Sequence, residues 1–285
     1  MKSQTAVDGE EVTVGESPVW HPDEKLMYWA DIASGHLFRY DPSKGSYEKC
    51  IDSGKISGMT LMRDGRLLFV GQGCSLTAWR DGEFETVFDG IPGEIGANDC
   101  CADPEGRVFM GAFPLSDEDE NQIRPGKLVR VDPDGHYEVL DEDNNGPNGV
   151  RISGDEKSLY VVNTAEQVVN IYDYDRSTGA INNKRIFYNA PKDGGAGVPD
   201  GMAVDAAGDL WITRCGGACV DQVNPQGELV ERHMFDSNAI TSCAFGGEDL
   251  DTLYVTSLGG PWRADPNIGP NGGNLFSLGP GLNGR

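Results

Sequence analysis

Residues 197–205 read Gly-Val-Pro-Asp-Gly-Met-Ala-Val-Asp, and residues 208–213 read Gly-Asp-Leu-Trp-Ile-Thr. A polar residue, Asp200, opens a short apolar run, which is followed by a Gly-containing turn and a second apolar run. Short apolar runs bounded by such turns are typical of β-strands. The stretch is therefore predicted to form two consecutive strands, with Asp200 near the start of the first.

The same pattern recurs five more times along the chain. The polar residues that open the six units are Glu16, Ser57, Asn98, Asn148, Asp200 and Ser242. Units of roughly 40–50 residues with several short strands each are typical of a β-propeller. We predict a single all-β domain over residues 1–285, a six-bladed β-propeller with blades starting near residues 16, 57, 98, 148, 200 and 242. Residues 1–9 are expected to fray, and residues 10–14 to form the edge strand that completes the last blade.

In a propeller, the first strand of each blade lines the central channel, so the six opening residues are predicted to form one ring. The ring would hold two carboxylates, two amides and two hydroxyls, all of which are oxygen donors. Hard divalent cations prefer such donors, and the channel is predicted to bind one. For Asn148 and Asp200, each followed by Gly, a plain turn is the alternative interpretation. Ser57 and Ser242 are predicted to be wall hydroxyls rather than ligands.

The composition restricts the classes of partner. The 23 basic and 46 acidic residues give a net charge of −23, which disfavours binding to nucleic acid or to an anionic membrane surface. No apolar run is long enough to predict a membrane span or a signal peptide. The seven cysteines do not form a paired framework, so we expect a reducing, cytoplasmic setting. A small-molecule substrate and a monomer or small homo-oligomer are expected.

Other residues offer weaker signals. Arg214 follows the second strand of the fifth unit and is predicted to face the channel mouth or to form a surface salt bridge. The acidic segment 115–124 is predicted to be either a loop over the channel or a solvated insertion. No Gly-x-Ser-x-Gly elbow is present, which disfavours serine-hydrolase chemistry. No pair of histidines has metal-ligand spacing, so a surface position is predicted for His21, His36, His136 and His233.

Five stretches, in order along the chain, carry a resemblance to a known family. Residues 15–20 (Gly-Glu-Ser-Pro-Val-Trp) are similar to its opening motif, and residues 98–107 to its Asn-Asp motif and the following turn. Residues 146–149 and 199–201 are similar to two segments that supply metal ligands, and residues 241–254 to the last-blade signature. Together they resemble the SMP-30/gluconolactonase/regucalcin-like family over nearly the whole chain.

The resemblance implies a six-bladed propeller with one divalent cation in its channel. The implied ligands are Glu16, Asn148 and Asp200, and Asn98 is implied as a substrate contact close to the metal. Ca²⁺ is the first expectation, with Mg²⁺, Mn²⁺, Zn²⁺ and iron as alternatives. Sugar lactonases often place an Arg two residues before this Asn, but Gly96 stands here, so recognition of an aldonolactone by that Arg is not expected.

The implied activity is hydrolysis of a small, sugar-derived lactone to the hydroxy acid. Asp200 is the candidate catalytic residue, as general base or as the group that holds the attacking water. Two alternatives use the same oxygen donors. One is a metal-dependent, phosphotriesterase-like hydrolase, and the other is a non-catalytic calcium-binding propeller.

Overall fold

The computed structural model describes residues 1–52, 54, 56–94, 96–113, 125–265 and 268–284. For residues 113, 125, 193, 262 and 263 it describes the backbone alone. The acidic segment 115–124 lies outside the described residues. Within them the chain has 24 β-strands and three short 3-10 helices, which confirms the all-β prediction. No helix in this part of the chain is long and apolar enough to cross a membrane.

The strands form six four-stranded antiparallel sheets in two compact units. The terminal unit comprises Met1–Gly54 and Ala190–Arg285, and the middle unit comprises Lys55–Asn189. Each unit contains three of the sheets. In five sheets the strands lie in chain order, as short hairpin connections require.

The terminal unit begins with one separate strand and one complete sheet. These are β1 (Gln4–Val7), followed by β2 (Gly15–His21), β3 (Leu26–Asp31), β4 (His36–Asp41) and β5 (Ser46–Ile51).

The middle unit contains the next three sheets. The first has β6 (Gly58–Leu61), β7 (Leu67–Val70), β8 (Leu76–Arg80) and β9 (Glu83–Phe88). The second has β10 (Gly96–Ala102), β11 (Val108–Phe113), β12 (Pro125–Val131) and β13 (Tyr137–Asn145). The third has β14 (Pro147–Ile152), β15 (Ser158–Asn163), β16 (Val168–Asp175) and β17 (Ala180–Asn189). The first strands are neighbours, since β10 packs against both β6 and β14.

The terminal unit resumes with its other two sheets. One has β18 (Val198–Val204), β19 (Leu210–Cys215), β20 (Cys219–Val223) and β21 (Leu229–Met234). The other has β22 (Ile240–Gly246), β23 (Thr252–Ser257) and β24 (Leu275–Leu278). Strand β22 packs against both β18 and β2, so the first strands are also neighbours here. The 3-10 helices span Gln72–Cys74, Ala190–Asp193 and Gly260–Ala264.

The last sheet is completed by the N-terminal strand β1, which pairs with β24. The expectation that residues 1–9 fray and residues 10–14 form this strand is wrong. Val7 is buried in the cluster that includes Trp29 and Leu275, whereas Glu10 and Glu11 are exposed. Burial of Val7 therefore favours pairing of the earlier segment. Residue 14 contributes one isolated bridge, to Leu258.

The hydrophobic core is divided among neighbouring sheets. In the terminal unit, Trp211 of β19 packs with Phe245 of β22 and Phe276 of β24. The turn before β19 is fixed by Asp205, whose Oδ1 accepts backbone N–H groups and whose Oδ2 accepts the Trp211 Nε1–H at 3.0 Å. The Asp-x-x-Gly turn and the buried strand after it are thus held by one side chain.

Candidate functional site

The first strands of five sheets share a local irregularity. Each has a register shift that adds one residue relative to the second strand, the mark of a β-bulge. The shifts lie between Glu16 and Val19, Ala97 and Cys100, Asn148 and Arg151, Pro199 and Met202, and Ile240 and Cys243. Only β6, among the first strands, pairs in regular register. Bulges re-aim side chains, and the sequence-predicted site residues lie at them.

The bulges show that the predicted ring residues are not equivalent. Glu16 and Asn148 are the last paired residues before their bulges. Asn98 and Asp200 are each the first of the two unpaired residues in the bulges of β10 and β18. Ser242 is the second of the two unpaired residues in the bulge of β22. The expectation of one shared position is therefore wrong, because these residues differ by up to two positions relative to their bulges, a difference that the repeat of apolar strands does not resolve.

Glu16 and Asn148 are held by the same local combination of a hydrogen bond and a backbone conformation. Both side chains are buried, and each accepts the N–H of the next residue, from Ser17 to Glu16 Oε2 at 3.1 Å and from Gly149 to Asn148 Oδ1 at 2.9 Å. The following residue has positive φ in both, 49° for Ser17 and 45° for Gly149. Gly adopts this conformation easily, whereas Ser does so at a cost in strain. Both bulges therefore fix the direction of an oxygen-bearing side chain.

Asp200 and Asn98 are half-buried, and close backbone packing surrounds both. A Cβ on Gly201 would lie 2.1 Å from Ser242 Oγ, so only Gly fits directly after Asp200. A Cβ on Gly58 would lie 2.5 Å from the Asn98 carbonyl oxygen. These contacts restrict the backbone on which each candidate side chain is mounted.

The negative charges of the two candidate carboxylates both affect the pKa of one thiol in the terminal unit. Burial raises the pKa of the Cys215 thiol, and the negative charges of Asp200 and Glu16 raise it further. Both carboxylates therefore lie within electrostatic range of the same side chain. An oxygen-donor set with this local excess of negative charge fits a hard divalent cation.

Arg214 belongs to a buried ionic cluster that the sequence did not reveal. Its Nη1 lies 2.7 Å from Asp221 Oδ2, and neither side chain is exposed. Its Nη2 donates to the carbonyl oxygen of Gly197 at 2.9 Å, three residues before Asp200. Arg232 Nε donates to Asp221 Oδ1 at 2.6 Å. The predicted salt bridge is present, but its predicted surface location is wrong, since the guanidinium is buried against the segment that leads to Asp200.

Asp99, next to Asn98, has a structural partner in the middle unit. Its Oδ2 accepts Arg151 Nη1 at 3.1 Å and its Oδ1 accepts the Cys100 N–H at 2.7 Å. This partly buried ion pair joins β10 to β14. Asp99 thereby stabilises the backbone that carries Asn98.

Two histidines lie in the interior, contrary to the surface prediction. His21 is buried and its Nδ1 accepts the Glu24 N–H at 3.2 Å. His233 is buried and stacks on Trp211, with ring centroids 4.9 Å apart. Among the described residues, no group of three or more His, Cys, Asp and Glu side chains has the arrangement of a metal site. The predicted ligand set contains only two such residues, because Asn148 supplies an amide oxygen.

Six four-stranded sheets, five of which have a bulged first strand with an oxygen-bearing side chain at the bulge, define a protein of the propeller class. The family model described as SMP-30/gluconolactonase/LRE-like region matches residues 14–259. The chain therefore belongs to this family, as its motifs predicted.

Curated relatives and solved structures agree with this assignment. The chain is 38% identical to the pentonolactonase XacC of Haloferax volcanii, over 95% of this chain and 92% of that protein. It is 32% identical to regucalcin of Xenopus laevis, over 88% and 85% of the two chains. The structure of a luciferin-regenerating enzyme superposes with a TM-score of 0.87 at 25% identity, covering 99% of this chain and 97% of that one. The chain is thus a six-bladed β-propeller of a family that includes sugar lactonases, which confirms the predicted fold.

Proposed function

We propose that this protein is a divalent-metal-dependent lactonase that opens a sugar-derived lactone to its hydroxy acid. The observation that carries the proposal is the geometry at Glu16 and Asn148, where each buried oxygen-bearing side chain accepts the N–H of the next residue and is thereby fixed in direction at a bulge. The similarity to a pentonolactonase over 95% of the chain supports the substrate class and makes pentonolactones the first compounds to test.

The chain's own residues provide a ligand set of suitable chemistry. We propose that Glu16, Asn148 and Asp200 bind one cation through carboxylate and amide oxygens, with Asn98 close by. Ca²⁺ is the first choice for such donors, and Mg²⁺, Mn²⁺, Zn²⁺ and iron are alternatives. A bound cation would polarise the lactone carbonyl and lower the pKa of a bound water.

In the proposed hydrolysis, side chains of the protein activate the water and bind the lactone. Asp200, half-buried and mounted on a restricted backbone, holds the attacking water or accepts its proton. The Asn98 amide can donate a hydrogen bond to the ring oxygen or to a hydroxyl of the lactone. With Gly96 in place of an Arg, that hydroxyl contact is left to neutral groups such as Asn98.

The direct test is a proton-release assay with the full chain on a panel of lactones. The panel contains pentono- and hexonolactones, and a phosphotriester tests the alternative hydrolase. We expect lactone hydrolysis that stops on treatment with a chelator and returns when Ca²⁺ or another divalent cation is restored. Glu16→Gln is expected to weaken both metal binding and turnover.

Two results would redirect the assignment. Unchanged lactone hydrolysis in chelated protein would exclude the metal-dependent mechanism. Metal binding without hydrolysis of any lactone or phosphotriester would favour the non-catalytic calcium-binding alternative.

A further inference from the structure

Buried hydroxyl groups connect the three sheets of the terminal unit at the level of the bulges. Thr213 Oγ1 lies 2.7 Å from the carbonyl oxygen of Gly201 and 2.6 Å from that of Thr241. The Thr241 hydroxyl donates to the carbonyl oxygen of Gly15 at 2.5 Å. Thr213 and Thr241 are both buried. We call these two threonines the hydroxyl relay.

The relay ends on the carbonyl oxygens of two residues that are adjacent in sequence to the candidate carboxylates. Gly15 directly precedes Glu16, and Gly201 directly follows Asp200. Strand β22, which carries Thr241, packs between β2 and β18. Each hydroxyl has one proton, so Thr213 donates to one of its two carbonyl neighbours at a time, and Thr241 donates to Gly15. The relay therefore links the backbone next to Glu16 with the backbone next to Asp200 through these two hydroxyls.

The position of the hydroxyls is specific to this part of the molecule. In each bulged sheet, one residue of the second strand lies opposite the bulge. In chain order these residues are Trp29, Gly111, Val161, Thr213 and Thr256. Hydroxyl side chains therefore occur at this position only in the sheets of β18 and β22. Of these two residues, Thr213 belongs to the relay, whereas Thr256 bonds to the hydroxyl of Thr241.

The buried hydroxyl bonds of the relay can hold the backbone in place against repulsion between the two carboxylates. Glu16 and Asp200 carry like charges, which repel each other when no cation lies between them. A hydrogen bond from a buried side chain to a backbone carbonyl resists the displacement that this repulsion favours, since a broken bond would leave a buried acceptor unsatisfied.

We propose that Thr241, together with Thr213, fixes the separation of Glu16 and Asp200 and thereby sets the affinity of the protein for its divalent cation. This inference rests on the proposed function, because it assumes that both carboxylates bind one cation. Thr213 and Thr241 are positioning residues, since their hydroxyls contact backbone oxygens.

The test compares two isosteric changes in chelator-stripped protein. Thr241→Val removes the hydroxyl that reaches Gly15. Thr256→Val is the matched control, since the Thr256 hydroxyl is also buried, but it contacts the Thr241 hydroxyl and the Ser242 backbone rather than Gly15 or Gly201. Ca²⁺ affinity is measured by isothermal titration calorimetry, and the unfolding temperature of the metal-free protein is measured alongside.

We expect Thr241→Val to weaken Ca²⁺ binding about tenfold, the lower end of the range for a group that orients a metal ligand. Thr256→Val is expected to change the affinity by less than about twofold. The metal-free unfolding temperature should fall by similar amounts in both variants, because each loses a buried hydroxyl bond. Thr241→Ser, which keeps the hydroxyl, should retain the parent affinity and show that the variant's effect is not one of misfolding.

Equal losses of Ca²⁺ affinity in Thr241→Val and Thr256→Val, or parent affinity in Thr241→Val, would contradict the proposed role of the relay. Neither result would contradict the proposed metal site. If the parent protein bound no Ca²⁺, Mg²⁺ or Mn²⁺, the proposed metal site would fall, and the relay with it.

Discussion

The terminal unit and the middle unit each carry two of the four candidate residues, with different chemistry. The terminal unit supplies the carboxylates Glu16 and Asp200, and the middle unit supplies the amides Asn98 and Asn148. The residues opposite the bulges differ as well, since the middle unit has Gly111 and Val161 where two sheets of the terminal unit have threonines.

The difference has a simple electrostatic explanation. Two carboxylates repel when brought together, and the backbone that holds them needs extra restraint, whereas two amides are neutral and do not repel. In the terminal unit this restraint comes from the hydroxyl relay and from Arg214, which bonds to Asp221 and to Gly197. The account therefore expects changes in the terminal unit to have the larger effects.

The largest effect is expected for Asp200→Asn, which changes a carboxylate of the terminal unit into an amide like those of the middle unit. Turnover should fall at least about 100-fold, because the proposed general base is lost and the proposed carboxylate ligand becomes a neutral amide. The metal-free protein should be no less stable than the parent, since the repulsion with Glu16 is removed. Rates of lactone hydrolysis and thermal unfolding in the presence of a chelator check both points.

Asp23→Asn, which changes an exposed turn residue, is the control for the loss of one negative charge. A parent-like rate for Asp200→Asn would contradict the account.

The next largest effect is expected for Arg214→Met. This change tests the residue that holds the backbone before Asp200, rather than the Asp200 carboxylate itself. Removing one member of a buried ion pair should lower the free energy of unfolding by about 3 kcal/mol, because the buried Asp221 carboxylate loses a charged partner that lies 2.7 Å away. Metal affinity should fall in the same variant. Urea unfolding and calorimetry provide the two measurements.

Arg185→Met is the matched control in the middle unit. Its ion pair with Asp173 is about half exposed, so its loss should change the stability by less than about 1 kcal/mol. Similar losses for Arg214→Met and Arg185→Met would show that the buried cluster has no special role.

A smaller effect is expected for Asn98→Ala in the middle unit. Loss of one hydrogen bond to the substrate should lower kcat/KM by roughly 2- to 13-fold while the metal is retained. Asn182→Ala, at an exposed site in the same unit, should leave both quantities unchanged. Loss of metal in Asn98→Ala would instead make Asn98 a ligand.

The smallest effect concerns the surface, which carries a net charge of −23. Salt screens exposed charges and should raise the stability of the metal-free parent by about 1 kcal/mol between low and molar NaCl. The repulsion between Glu16 and Asp200 should persist, since Glu16 is buried. Asp200→Asn should therefore keep its stability relative to the parent at both salt concentrations, as thermal unfolding would show.

Much of the fold was predictable from local sequence, because each blade repeats the same alternation of apolar strands and Gly turns. The six opening residues could be selected from the repeat, whereas the choice of Glu16, Asn148 and Asp200 among them as ligands came from the resemblance to the family. The bulges were not predictable, because one inserted residue is invisible in a repeat of variable length. The closing strand was misplaced because Val7 looks no more apolar than Val14 without its partners in β24.

The supporting residues were hidden for another reason. Asp221 lies in the run Val-Asp-Gln-Val, where a charged residue between apolar ones usually faces solvent. Its burial depends on Arg214 and Arg232, seven residues before it and eleven after it. Thr213 and Thr241 likewise read as ordinary strand residues until their carbonyl partners are known.

The most direct measurement is a crystal structure of the protein grown with Mn²⁺, with anomalous diffraction used to locate the metal. We predict one strong anomalous peak bonded to carboxylate oxygens of Glu16 and Asp200 and to the amide oxygen of Asn148. A peak bound elsewhere, or no peak in crystals of protein that hydrolyses lactones, would contradict it.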